Sequence, residues 1–143
     1  MKTVGELLKT KGREIWSISP HASVYRALEI MAEKDVGALL VIEDGRLAGI
    51  FTERDYARKV ILKGRTSKDT TVSELMTRAL FCVGPENTME DCMALMTSRQ
   101  IRHLPVLENG RLVGIITLGD VVKKIISEQE FTIHQLESYV HSG

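Results

Sequence analysis

The chain contains the same unit twice. Residues 15–61 align with residues 80–126 at a constant offset of 65 positions and without a gap. The clearest match sets EDGRLAGIFT at 43–52 against ENGRLVGIIT at 108–117. A unit of about 60 residues has little core of its own. The repeat therefore predicts two copies that pack together as one pseudo-symmetric body.

Local patterns give each copy the same order of elements. Ser23 and Thr88 are good helix N-caps, and apolar residues recur at helical spacing after each of them. Asp44-Gly45 and Asn109-Gly110 each separate two apolar runs, which is a strong signal for a β-hairpin. Short apolar segments at 15–18 and 80–83 predict a first strand in each copy. The expected fold is mixed α+β, with two β-α-β-β-α repeats related by a pseudo-twofold axis.

The repeat also suggests where the chain divides. Thr3 and Thr71 each begin a capping-box pattern, so a short helix precedes each copy. We expect residues 1–66 to form the first repeat with its N-terminal helix, and residues 67–127 to form the second. Residues 128–143 predict a final helix with one apolar face, made by Ile133, Leu136 and Val140.

Composition excludes several classes of function. The chain has 19 Lys and Arg against 19 Asp and Glu, so it lacks the basic excess of a general nucleic-acid or membrane-surface binder. No apolar run reaches the length of a membrane span. Cys82 and Cys92 are not at a metal-ligand spacing, and the four histidines are scattered. These features predict no metal site, and free thiols in a reducing cytoplasm.

The residues most open to a functional interpretation are Thr52 with Asp55 and Thr117 with Asp120. As Thr-x-x-Asp at the start of a helix, each pair is first of all a capping box, and taken alone that interpretation carries most weight. A carboxylate held ionised at a helix N-terminus can also accept two hydrogen bonds from a ribose diol. Gly49 and Gly114, each in a predicted strand, indicate close approach to the backbone, by a flat adenine or through a bulge.

Two copies ending in Gly-Ile-x-Thr-x-x-Asp resemble tandem CBS domains, the cystathionine-β-synthase repeat, paired as a Bateman module. The resemblance covers nearly the whole chain. It implies two clefts that each use residues from both repeats and that bind adenosine ribose through Thr52 and Asp55, and through Thr117 and Asp120. It also implies disc-shaped homodimers.

The resemblance extends to other parts of the ligand. Relatives similar to the γ subunit of AMP-activated protein kinase place basic residues before a Leu-Pro-Val strand, which implies that Arg102 and His103 meet phosphates. The first repeat lacks this pair, and Arg54 is a possible substitute. A solvated surface charge is the alternative for both arginines, and a half-buried structural residue is the alternative for His103. Trp16 and Phe81 are also candidates for plain core residues. The implied adenine-pocket positions are Trp16, Ile18, Ala38, Phe81, Val83, Leu104 and Pro105.

Three functions follow as hypotheses. The leading one is a regulator that senses AMP, ADP, ATP, NAD or S-adenosylmethionine and acts in trans on an unidentified protein target. The second is a structural dimerisation module with no ligand. The third, an enzyme acting on nucleotides, has little support because the chain shows no nucleophile paired with a base, no Walker loop and no zinc motif. We therefore expect no catalytic residue and no catalytic cofactor.

Overall fold

The computed structural model describes the backbone of residues 2–142 and the side chains of residues 2–138. The chain divides into two units. The first-repeat unit is Ile15–Leu80, and the second-repeat unit combines Met1–Glu14 with Phe81–Gly143. The mixed α+β fold class predicted from the sequence is confirmed. Among residues 2–142, no helix is long and apolar enough to cross a membrane.

The first-repeat unit is built on a three-stranded sheet in the order β1-β2-β3. Strand β1 (Ser17–Ile18) pairs in parallel with β2 (Ala38–Glu43), which pairs antiparallel with β3 (Arg46–Thr52). Helix α2 (Val24–Lys34) connects β1 to β2. Helix α3 (Glu53–Tyr56) follows β3 and runs into a π-helical turn at Ala57–Ile61, and α4 (Val72–Leu75) completes the unit.

The second-repeat unit has the same plan on a smaller sheet. It contains α1 (Val4–Lys11), α5 (Met89–Arg99), β4 (His103–Glu108), β5 (Arg111–Thr117) and α6 (Leu118–Ser142). Strands β4 and β5 pair antiparallel. The core beneath them includes Met89, Cys92 and Met96 from α5, so the methionine-rich face of that helix is core.

The short helices that precede the repeats are exchanged between the units. Helix α1 buries Val4, Leu7 and Leu8 in the core of the second repeat, and the Val4 amide donates to the Asn87 carbonyl at 2.8 Å. Helix α4 packs on the first repeat instead, and the Val72 amide donates to the Ala22 carbonyl at 2.9 Å. These units differ from the sequence divisions 1–66 and 67–127. Both helices carry the same short motif, so the repeat alone does not indicate which core each one joins.

The predicted hairpins and caps form as expected. Asp44, Gly45, Asn109 and Gly110 all have positive φ, between 51° and 77°, as turns of two residues between twisted strands require. Thr88 caps α5 by accepting from the Asp91 amide at 3.1 Å, and Ser23 caps α2 in the same way.

The predicted first strand forms only in the first repeat. There the Leu40 amide donates to the Trp16 carbonyl at 3.1 Å and extends the ladder. The equivalent of Leu40 in the second repeat is Pro105, which has no amide hydrogen to donate. The segment at 80–83 therefore makes an isolated bridge between Val83 and Val106 rather than a strand.

The final helix is not separate from the second repeat. Helix α6 runs without interruption through Ser127 for 25 residues, because no Gly or Pro stops it after Gly119. Ile133 and Leu136 are 56% and 61% exposed on this helix. The side chain of Val140, predicted on the same face, lies outside the described residues.

Candidate ligand-binding site

Both Thr-x-x-Asp pairs form capping boxes, as the sequence predicted. At the start of α3 the Asp55 amide donates to Thr52 Oγ1 at 3.1 Å, and the Thr52 amide donates to Asp55 Oδ2 at 3.0 Å. At the start of α6 the corresponding distances for Thr117 and Asp120 are 3.1 and 2.9 Å. Each box orients its carboxylate at a helix N-terminus, where the backbone dipoles stabilise negative charge.

Sheet register brings the predicted phosphate residues to this carboxylate in the second-repeat unit. His103 is the direct cross-strand partner of Thr117. The carbonyl of Arg102, just before β4, accepts a hydrogen bond at 2.9 Å from the amide of Leu118, the first residue of α6. The start of β4 and the end of β5 therefore bring His103 beside Thr117 and the helix start that carries Asp120, and the charge of Arg102 acts on His103.

A further cation in this cluster comes from α1. Lys11 Nζ lies 2.5 Å from Asp120 Oδ2 and donates to the Ile115 carbonyl at 2.7 Å. The two side chains of this ion pair are only 27% and 22% exposed. Sequence analysis missed Lys11 because it is 109 residues from Asp120 and outside the aligned repeat. A basic residue in the last turn of a helix is common, so no local signal marked it.

The charges of this cluster shift two pKa values. Burial alone raises the pKa of the Asp120 carboxyl, but the hydrogen bonds from Lys11 and from the Thr117 amide outweigh burial, so the pKa lies below its ordinary value. Burial lowers the pKa of His103, and the charges of Lys11 and Arg102 lower it further, against an opposing effect of Asp120. At neutral pH His103 is therefore neutral and Asp120 is ionised.

The equivalent position in the first-repeat unit is organised differently. Asp55 is more buried than Asp120, with 10% of its side chain exposed. Its Oδ1 atom lies 3.0 Å from Lys59 Nζ, four residues along the same helical segment, and accepts from Thr77 Oγ1 at 3.4 Å. Lys59 also donates to the Leu75 carbonyl at 3.0 Å. This ammonium is thus supplied locally rather than by a distant helix.

Two acidic residues lie near the positions at which the first repeat lacks the basic pair of the second repeat. A cavity of about 320 Å³ lies between the end of α2 and the start of α3, and its lining includes Asp35, Gly37 and Glu53. Gly37 is the repeat equivalent of Arg102. Arg54, the proposed substitute, is exposed in the first turn of α3. The acidic lining of this cavity is therefore less favourable to an anion than Arg102 at the equivalent position of the second repeat.

The two strand glycines are explained by packing within each unit. A Cβ atom on Gly49 would lie 2.8 Å from the Thr77 carbonyl oxygen, and one on Gly114 would lie 2.9 Å from Leu8 Cδ2. Both hairpins also have a bulge beside these glycines. The close approach that the glycines indicated is therefore made by the protein itself, and these positions lend no support to adenine contact.

The predicted adenine-pocket residues fall into three groups. Ile18, Val83 and Leu104 are core residues, each less than 10% exposed. Trp16 and Phe81 have a cation over the ring, Lys34 Nζ at 4.6 Å and the Arg99 guanidinium at 4.7 Å. Trp16 is 37% exposed and so is not a core residue, whereas Phe81 packs partly buried against the second-repeat core. The remaining two, on β2 and β4, are the buried Ala38 and Pro105.

Metal binding has no support among residues 2–138. No group of three or more His, Cys, Asp or Glu side chains there is arranged to hold an ion. Cys82 and Cys92 are both free thiols. Burial raises the pKa of both thiols, that of Cys92 to about 11, so neither is activated as a nucleophile.

Comparison with known proteins identifies the family. The family model of the CBS domain matches residues 4–62 and again residues 72–127. The chain is a tandem CBS-domain protein. It is 38% identical to the mitochondrial CBS domain-containing protein CBSX3 of Arabidopsis thaliana, over 99% of this chain and 73% of that protein. It is 35% identical to the CBS domain-containing protein YhcV of Bacillus subtilis, over 90% of this chain and 89% of that one.

A solved structure supports the same assignment. The CBS repeats superpose on a putative signal-transduction protein with CBS domains from Burkholderia ambifaria with a TM-score of 0.87. That protein is 49% identical, and the match covers 90% of this chain and 96% of that one. The predicted resemblance to tandem CBS domains is therefore confirmed.

Proposed function

We propose that this CBS protein is a regulatory module that binds an adenine nucleotide or adenosyl compound and acts in trans on a protein partner. The ligand class comprises AMP, ADP, ATP, NAD and S-adenosylmethionine. The observation that carries the proposal is the cluster at Asp120. A partly exposed, ionised carboxylate there stands at a helix N-terminus and pairs with Lys11, and its charge and that of Arg102 both act on His103.

The chemistry of this cluster suits a nucleotide in two parts. A carboxylate oxygen accepts hydrogen bonds from a ribose diol, while ammonium and guanidinium groups donate to phosphate oxygens. A plain structural capping box needs the carboxylate but none of the three basic side chains. The cluster thus supports ligand binding beyond the capping role of Asp120.

Calorimetry tests the proposal directly. Purified protein is titrated with the five ligands, and we expect saturable heat with at least one of them. Because Asp35 and Glu53 line the cavity where the first repeat lacks its basic pair, we expect a phosphate-bearing ligand to bind the second-repeat unit more tightly than the first. Absence of both saturable heat and a thermal shift with all five ligands would disprove the sensor function. Mass spectrometry of small molecules released from the protein would identify the natural ligand.

The mode of action we propose is non-catalytic. A bound ligand alters the partner only if it binds two states of the module with different affinity. The pKa values of Cys82 and Cys92 are raised, so neither thiol is an activated nucleophile, and free thiols suit a reducing compartment such as the cytoplasm. Turnover of a bound nucleotide, detected by chromatography, would contradict this part of the proposal.

We also propose that the protein is a homodimer. Ile61, the last residue of the π-helical turn, and Leu62, which follows it, are 57% and 76% exposed. On α6, Ile126 and Ile133 are seven residues apart, and Leu136 follows three residues later. In a heptad frame these three residues take a, a and d positions, with the polar Gln129 at the intervening d position, and β-branched residues at a with Leu at d favour two strands. Light scattering coupled to size exclusion tests this, and a monomer mass at micromolar concentration would refute it.

The same apolar surfaces support one alternative function. A structural dimerisation module would need the exposed residues of α6 but no ligand. It predicts a stable dimer with no saturable binding to any adenosyl compound. Calorimetry and light scattering together therefore distinguish the two functions.

A further inference from the structure

The ion pair between Lys11 and Asp120 engages one of the two carboxylate oxygens to which a ribose diol could donate. Asp120 Oδ2 already accepts from the Thr117 amide at 2.9 Å and from Lys11 Nζ at 2.5 Å. A ribose hydroxyl donating to this oxygen would compete with the ammonium group. In the ligand-free protein, therefore, Oδ2 already has two donors, and one of them is a side chain of its own unit.

The source of this ammonium is specific to the second-repeat unit. In the first-repeat unit the carboxylate is paired with Lys59, four residues after Asp55. Lys124 is the repeat equivalent of Lys59 on α6, yet the ammonium on Asp120 comes from Lys11 at the last position of α1. The local pair of the first repeat is thus replaced by one made with a separate helix.

The helix that carries Lys11 is anchored in the core, whereas the Lys11 ammonium is held only by its contacts with Asp120 Oδ2 and the Ile115 carbonyl. Leu8, three residues earlier, is 1% exposed in the core, and the amide of Gly5 donates to the Pro85 carbonyl at 2.9 Å. The lysine chain ends in a single ammonium on a flexible stem, at a partly exposed position. The ammonium can therefore change partner by side-chain rotation without moving α1.

A phosphate would supply the new partner. Arg102 and His103 belong to the same cluster, and the charges of Lys11 and Arg102 both reach His103 strongly enough to lower its pKa. A nucleotide that presents its phosphate to these cations gives Lys11 an anionic acceptor in place of Asp120. A nucleoside without phosphate offers Lys11 no such acceptor. When it binds, the Lys11 ammonium either loses the Asp120 carboxylate or shares that carboxylate with the ribose.

We propose that Lys11 is a displaceable internal cation that makes the second-repeat site selective for phosphorylated adenosyl ligands over the bare nucleoside. The ammonium transfers from Asp120 to the phosphate, and the freed carboxylate accepts the ribose diol. This inference rests on the proposed nucleotide-binding function and adds to it a residue that determines specificity.

The test compares AMP with adenosine in the wild-type chain, in Lys11→Met and in Lys9→Met. Methionine keeps most of the apolar stem of lysine and removes the charge. Lys9 is an exposed lysine on the same helix and serves as the matched control. The His103 ring resonances, followed by NMR during each titration, report on this unit alone. Circular dichroism verifies that each variant is folded.

Wild type and Lys9→Met should bind AMP more tightly than adenosine. In Lys11→Met, adenosine binding should strengthen and the preference for AMP should fall by about tenfold or more, as for one lost charge-assisted hydrogen bond. An unchanged preference, or an equal loss of both affinities, would overturn the role of Lys11 while leaving the nucleotide-binding function intact. If wild type binds neither compound nor any other member of the ligand class, the proposed function fails, and this inference fails with it.

Discussion

Replacement of Gly49 by alanine should destabilise the protein much more than the equivalent replacement of Gly114. The added Cβ of Gly49→Ala would lie 2.8 Å from the Thr77 carbonyl oxygen, well inside van der Waals contact. That carbonyl cannot retreat cheaply. It accepts from the Ile50 amide at 3.0 Å, and the Thr77 amide donates back to the Ile50 carbonyl at 2.9 Å. Relief of the clash must therefore weaken a reciprocal pair of backbone hydrogen bonds.

The neighbour of Gly114 is different in kind. Its added Cβ would lie 2.9 Å from Leu8 Cδ2, the end of a side chain that can rotate slightly. Overpacking in a well-filled core costs about 1–3 kcal/mol. Against this, Gly→Ala stabilises by about 0.4–1 kcal/mol through the unfolded state. We expect a net loss of about 1–2 kcal/mol for Gly49→Ala, and about 0–1 kcal/mol for Gly114→Ala.

Urea denaturation followed by circular dichroism measures both free energies of unfolding. A loss of about 1–2 kcal/mol corresponds to a fall in Tm of roughly 2–8 °C for a domain of this size. The Gly49→Ala change should also disturb the hydroxyl of Thr77, which contacts Asp55 at 3.4 Å. If Gly49→Ala is as stable as wild type, or if Gly114→Ala costs more than Gly49→Ala, then the contrast between a backbone neighbour at Gly49 and a side-chain neighbour at Gly114 does not determine the cost.

Three further predictions concern the site and the assembly. Asp120→Asn should weaken nucleotide binding by about 1.5–3 kcal/mol through loss of a charge-assisted hydrogen bond. It should lower ligand-free stability far less, because asparagine can still accept the capping hydrogen bond from the Thr117 amide, and calorimetry with thermal melting separates the two effects. An unchanged affinity with a lower Tm would leave Asp120 with a capping role alone. By NMR, His103 should titrate below its ordinary pKa of about 6.5. Because the folded pKa lies below the unfolded one, its contribution to stability is present above the unfolded pKa and is lost as pH falls through the folded pKa. Lys11→Met should raise the His103 pKa, and a fall would contradict the charge arrangement. Finally, Leu136→Glu should reduce the dimer fraction in light scattering, whereas Ser138→Glu, away from the heptad positions, should not. Equal dimer fractions would remove α6 from the proposed interface.

Local chemistry explains what the sequence predicted well. The hairpins at Asp44-Gly45 and Asn109-Gly110 depend on residues that tolerate positive φ, so a dipeptide was enough to predict them. The capping boxes of Thr52 and Thr117 depend on groups three residues apart. The family could be predicted because the motif Gly-Ile-x-Thr-x-x-Asp occurs twice at one offset, which is visible in the sequence alone.

Contacts between distant segments were decided only by the tertiary structure. Helices α1 and α4 carry the same motif, so the sequence does not show which core each one joins. In the structure α1 joins the second repeat and α4 joins the first, the reverse of the predicted division. The same exchange brings Lys11 to Asp120 and seats Leu8 against Gly114. Sequence patterns report periodicity within an element, whereas these contacts depend on which elements share a core. For that reason the carboxylates of the candidate site were predictable from the sequence, and the cation that pairs with Asp120 was not.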